Sequence, residues 1–99
     1  MARKVKWTHT ALRERCEIFD YWNRRNKSTR YSHWLRKRLQ DMIRQLAEQP
    51  STGALTEEYG IYRKLVRDYY LFYRFSATEI TVISIWDTRR NPESNPYSY

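Results

Sequence analysis

Cysteine occurs once in this chain of 99 residues, glycine and histidine twice each, and proline three times. A lone Cys16 excludes an internal disulfide, and one Cys with two His makes no dedicated zinc cage. No cofactor is expected. No apolar run approaches the roughly 18 residues of a membrane-spanning helix, so no membrane partner is expected. The basic N-terminus MARKVKW lacks the apolar stretch of a signal peptide, and cytoplasmic residence is the expectation. The P-loop, the HExxH metal motif and the glycine-rich nucleotide turn are all missing. No histidine follows His33, which argues against a ribonuclease built on paired histidines. Scarce Gly and Pro point to regular secondary structure with short connections. The length allows one small domain and excludes the ordinary two-domain enzyme plan.

What is abundant is positive charge and aromatic surface. Lys plus Arg is 19 against 11 Asp plus Glu, a net charge of +8. Residues 1–50 hold 13 basic and 5 acidic side chains, and residues 51–99 hold 6 of each, so the whole excess lies in the first half. Such a chain attracts polyanions or an acidic protein partner, and a solvated basic face with no dedicated partner would look the same. Nine Tyr, four Trp and three Phe let a small core bury much area per residue.

Alternation of Val5 and Trp7 with Lys4 and Lys6 predicts a strand over 3–7. Thr8 or Thr10 caps the helix that follows. Its stripe is Leu12, Cys16, Phe19 and Trp22, widened by Ala11, Ile18 and Tyr21. The polar run Asn23-Arg-Arg-Asn26 breaks the pattern. Ser28 or Thr29 caps a second helix with an apolar face of Leu35, Leu39, Met42, Ile43 and Leu46, stopped by Pro50 to Gly53. After Gly60 come three strands, Ile61–Arg67, Tyr69–Phe75 and Glu79–Trp86, joined by tight turns as a meander. The order is β-α-α-β-β-β, an α+β fold with a helical hairpin packed on one face of a small, mostly antiparallel sheet. Residues 1–92 form the domain, and 93–99 a polar tail. The opposite sheet face is left partly open for a partner.

Candidate functional residues lie on the strands and after the last one. Arg63, Lys64, Arg67 and Arg74 can hold phosphate oxygens, and Tyr62, Tyr69, Tyr70 and Tyr73 can stack bases or supply hydroxyls. Each also has a plain reading, tyrosine completing the core edge and arginine on a solvated face. Arg89 and Arg90 directly follow the last strand, where Asp87 can orient an arginine by a salt bridge. A metal-free nuclease built here would stabilise charge with Arg or Lys and move protons with Tyr or a carboxylate.

The ordered set Trp7-Thr8, Ala11-Leu12, Ile18–Trp22 (IFDYW), Tyr31, Leu35, Leu46, the Pro50/Gly53 stop, Arg63–Tyr73 (RKLVRDYYLFY) and Val82–Pro92 (VISIWDTRRNP) resembles the RelE/ParE toxin superfamily of bacterial toxin–antitoxin and plasmid stabilisation systems. The resemblance covers roughly residues 5–92 and implies the same β-α-α-β-β-β fold. It also implies a cognate antitoxin that wraps and blocks the toxin. The RelE-like branch cleaves mRNA on the ribosome, whereas the ParE-like branch poisons DNA gyrase and need not be an enzyme. The RelE Lys-x-Lys pair is matched by Arg63-Lys64-Leu65, which keeps one cation and loses the other to Leu65. The RelE Tyr-Arg-x-x-Tyr is matched by Tyr69–Tyr73, with Tyr70 in place of Arg. The basic residue after the last strand is Arg89 or Arg90, and the spacing of Tyr97 and Tyr99 does not align with the C-terminal tyrosine of some ribonuclease members.

The loss of two RelE cations favours the ParE-like reading, a gyrase inhibitor neutralised by an antitoxin. The alternatives are a RelE-like, metal-independent mRNA endoribonuclease and a non-toxic basic protein- or nucleic-acid-binding module. The ribonuclease would use Arg63, Arg67, Tyr70, Tyr73, Arg89 and Arg90. The antitoxin is expected on the basic helical hairpin, with Arg36, Lys37 and Arg44 as its contacts.

Overall fold

A computed structural model describes residues 3–89. The elements in chain order are β1 (Lys4–Trp7), α1 (His9–Asn26), α2 (Arg30–Glu48), a 3-10 turn (Pro50–Thr52), β2 (Ala54–Leu55), β3 (Tyr62–Val66), β4 (Tyr69–Phe75) and β5 (Glu79–Asp87). The sheet order is β1-β5-β4-β3-β2. β1 runs parallel to β5, and all other pairs are antiparallel. The helical hairpin covers one face, so the α+β architecture read from the sequence is the one observed.

Thr8 is the joint between strand and helix. Its backbone N–H donates to the Val82 carbonyl at 3.0 Å, and its hydroxyl donates to the Ile83 carbonyl at 2.7 Å. The same hydroxyl accepts from the Ala11 N–H at 3.1 Å, capping α1. Beyond Trp7 the edge of β5 has no strand neighbour among the described residues, and Glu14 of α1 takes that place. Its carboxylate accepts from the Ile85 N–H at 3.1 Å and from the Ser84 hydroxyl at 2.8 Å. Thr8 and Glu14 together fix α1 along the sheet.

The buried side of α1 differs from the expected stripe. Ala11 and Phe19 are buried and Ile18 and Trp22 pack against the core, whereas Cys16 is exposed. Arg15 lies on the inward side, its guanidinium 4.7 Å from the Trp7 ring centroid, so a cation–π contact stands where an apolar residue was expected. The polar run Asn23–Asn26 does not break the helix. It stays helical to the left-handed Lys27 (φ 51°), and Asn23 accepts from the buried Ser32 hydroxyl at 2.6 Å, closing the hairpin. In α2 every expected apolar residue faces the core, joined by Ser32 and Ala47.

β4 runs from Tyr69 to Phe75, as expected, and β5 extends one residue further than expected, to Asp87. The β4–β5 register slips between Phe72 and Tyr73. Phe72 faces Ser84 and Tyr73 faces Val82, leaving Ile83 as a bulge. The short β2 was not read from the sequence, having only two residues, and it pairs Ala54 with Arg63 on the far edge. Gly53, just before it, admits no side chain. A Cβ there would lie 2.7 Å from the Arg63 carbonyl oxygen and run into the Tyr73 hydroxyl.

Candidate functional site at the strand ends

The pairing register sorts the strand side chains by face, because cross-strand partners share one. Tyr69 and Leu71 join Val82 and Ile85 in the core beneath the helices. Arg63 pairs with Phe72, Leu65 with Tyr70, and Tyr70 with Trp86, which places these five residues on the opposite face. That face is mixed in character: Leu65 is 51% exposed, whereas Phe72 and Trp86 are buried. Arg63 lies over the Tyr70 ring, 5.1 Å from its centroid.

The remaining candidates are elsewhere. Arg67 occupies the β3–β4 turn in a left-handed conformation (φ 58°), its guanidinium 5.7 Å from the Trp34 ring on α2. Arg89 follows β5 and forms a two-pronged pair with Asp87, Nε to Oδ1 at 3.0 Å and a terminal nitrogen to Oδ2 at 2.8 Å. Its backbone N–H also donates to Asp87 Oδ1 at 2.9 Å, and its guanidinium lies 5.6 Å from the Trp22 ring on α1. The carboxylate hydrogen bonds raise the pKa of Arg89 further above its ordinary value. Arg67 and Arg89 therefore each stack on a helix tryptophan, on the side of the sheet away from Arg63 and Tyr70.

Tyr73 is fully buried, and its hydroxyl donates to the Pro50 carbonyl at 2.5 Å. Desolvation pushes its pKa up to about 12. This hydroxyl braces the chain leaving α2, so Tyr73 stands in the core rather than at an accessible surface. Arg90, Tyr97 and Tyr99 lie outside the described residues.

A cleft of about 420 Å³ opens between α1 and the adjoining ends of β4 and β5. Glu17, Tyr21 and Arg24 line it from the helix; Tyr69, Asp87 and Arg89 line it from the sheet. Tyr69 accepts from the Trp22 indole N–H at 2.7 Å, and burial raises its pKa, so its hydroxyl stays protonated at neutral pH. Of these lining residues the sequence reading singled out Arg89 with Asp87, and Tyr69 among the strand tyrosines. The contribution of α1 was missed, because nothing in the linear spacing brings Tyr21 and Arg24 to the end of β5.

On α2, Arg36, Lys37 and Arg44 are all exposed. Lys37 and Arg44, seven residues apart, share an outward face. Arg36 reaches over Phe19 at 5.4 Å, and Arg44 approaches Asp41 at 4.0 Å. Among the described residues no group of three or more His, Cys, Asp or Glu side chains is placed to hold a metal ion, and no helix is long and apolar enough to cross a membrane.

Comparison with known proteins adds to this geometry. Residues 5–92 match the model of a family described as the ParE toxin of the type II toxin–antitoxin system parDE. A solved structure titled a chromosomal ParDE toxin–antitoxin system from P. aeruginosa superposes with a TM-score of 0.73 at 16% identity, covering 89% of this chain and 98% of that one. At that identity the superposition speaks for the fold. No curated protein matches the sequence.

Proposed function

The chain belongs to the ParE toxin family of type II toxin–antitoxin systems, and from that premise we propose that it is the toxin of such a pair, held inactive by a cognate antitoxin and poisoning DNA gyrase when released. The observation that carries the choice of target is the scatter of the ribonuclease candidates. Cleavage of a phosphodiester needs cations and a proton-transfer group converging on one phosphate. Here Arg63 and Tyr70 lie on one side of the sheet, while Arg67 and Arg89 are stacked on helix tryptophans on the other. Tyr73 is in the core. Arg89 is committed to Asp87. An inhibitor that acts by binding needs no such convergence. The antitoxin is assigned to the outward face of α2, through Arg36, Lys37 and Arg44.

Supercoiling and gyrase-cleavage assays with the purified chain test this. Accumulation of cleaved DNA complexes, reversed by antitoxin, is the expected result, and no effect at large molar excess sinks the proposal. A second reading rests on the Arg63–Tyr70 pair, which sets a cation beside a phenol on a sheet face. In that reading the chain cleaves mRNA on the ribosome. Toeprinting of translating ribosomes detects such cleavage directly, and cuts that persist in an Arg63→Ala/Tyr70→Phe variant remove that pair from it.

A further inference from the structure

Neither reading uses the aromatic run at the closed end of the helical hairpin. Four rings follow one another there: Tyr21 to Trp22 at 5.1 Å, Trp22 to Tyr31 at 4.7 Å, and Tyr31 to Trp34 at 5.5 Å between centroids. The two end rings, Tyr21 and Trp34, are each 43% exposed. Trp34 carries two guanidinium groups, Arg38 at 5.5 Å and Arg67 at 5.7 Å. Beside it lies a hollow of about 470 Å³ lined by Asn26, Ser28, Arg30, Tyr31 and Trp34, with no carboxylate among them. The charge is concentrated at the same place. Between Asp20 and Asp41 the sequence has seven basic residues and no acidic one. Arg67 sits over Trp34 at a backbone angle that non-glycine residues adopt at a cost.

We infer that this hairpin end is a docking platform for single-stranded DNA, in which a base stacks on Trp34 and the flanking phosphates meet Arg30, Arg38 and Arg67. Ring faces interleaved with cations suit a single strand, whose bases offer their faces, and not a duplex, whose bases are already stacked. An acidic peptide would satisfy the cations and make no use of the exposed part of the Trp34 ring. The choice of DNA over RNA rests on the gyrase reading above; the platform itself does not.

Fluorescence anisotropy of dye-labelled oligothymidylate with the purified full chain tests the inference. Binding should weaken as salt rises. Trp34→Ala should weaken it about 5- to 100-fold, and Trp34→Phe should restore most of that affinity. Arg67→Gly suits the left-handed turn and so keeps the fold. It should weaken binding and flatten the log–log salt dependence by about 0.7, the slope that one neutralised phosphate contributes on a single strand. Wild-type affinity in Trp34→Ala, or equal competition by polyglutamate and by oligothymidylate, would overturn the platform. Tighter binding of oligouridylate would overturn the assignment to DNA. Gyrase left unaffected while oligothymidylate binds through Trp34 counts against the target and supports the platform. Gyrase poisoned by a chain that does not bind oligothymidylate refutes the platform alone.

Discussion

Replacing Tyr73 with Phe separates two roles for one residue. The ring stays, with its stack on Tyr62 at 5.7 Å, and only the hydroxyl is removed. The Pro50 carbonyl then loses the donor it holds at 2.5 Å in a buried site. An unsatisfied buried acceptor costs about 1–3 kcal/mol, so the midpoint of thermal unfolding should fall by about 5–15 °C in a domain of this size. Alkaline pH supplies a second readout. Below pH 10 the phenol is protonated in both folded and unfolded chains, and stability does not depend on it. Above pH 10 the unfolded chain sheds the proton first, because the folded pKa is about 12. Stability therefore falls between pH 10 and 12, by about 2–3 kcal/mol in full, and Tyr73→Phe should lack this component. Urea unfolding followed by circular dichroism across that pH range measures both effects in wild type and variant. Gyrase poisoning at neutral pH should persist in the variant. Unchanged stability together with lost activity would refute the bracing role and return Tyr73 to the site.

Four further variants have defined outcomes. Thr8→Val keeps the shape and removes both hydroxyl contacts; it should cost about 1–2 kcal/mol in urea unfolding, and a neutral result would mean that Glu14 alone seats α1. Gly53→Ala forces a Cβ against the Arg63 carbonyl and the Tyr73 hydroxyl and should cost about 1–3 kcal/mol, whereas Gly60→Ala meets no neighbouring atom and bears only its positive φ. Changing Arg36, Lys37 and Arg44 together to Gln should weaken antitoxin binding in calorimetric titration, with the difference shrinking at high salt. Equal affinity at low salt would move the antitoxin off this face.

The element boundaries were legible where chain chemistry is local. Tyr69–Phe75 is a short aromatic-rich run bounded by turns, and the α2 stripe repeats at helical period, so both were read correctly. What escaped depends on contacts distant in sequence. Cys16 looks apolar on a helical wheel, yet Arg15 turns inward over Trp7, because a ring can receive a guanidinium at a half-buried position. β2 has two residues and exists only through pairing with β3, so no pattern announces it. At the site, single residue types were visible and their grouping was not. Arg63, Arg67 and Arg89 are alike in sequence, but strand parity and the left-handed turn set Arg63 on the face opposite Arg67 and Arg89. The bond from Trp22 to Tyr69, which holds one wall residue of the cleft, joins residues 47 positions apart.

The parallel pairing of β1 with β5 sets a clock on the molecule. Lys4 is opposite Glu79 and Trp7 opposite Val82, so β1 waits for β5, made 75 residues later. At a translation rate of about 5–20 residues per second, the interval is about 4–15 s. Until then Thr8 has no carbonyl to grip and Glu14 has no strand edge to cap, so α1 cannot settle. Between the two strands, the growing chain lacks the contacts that seat its first helix.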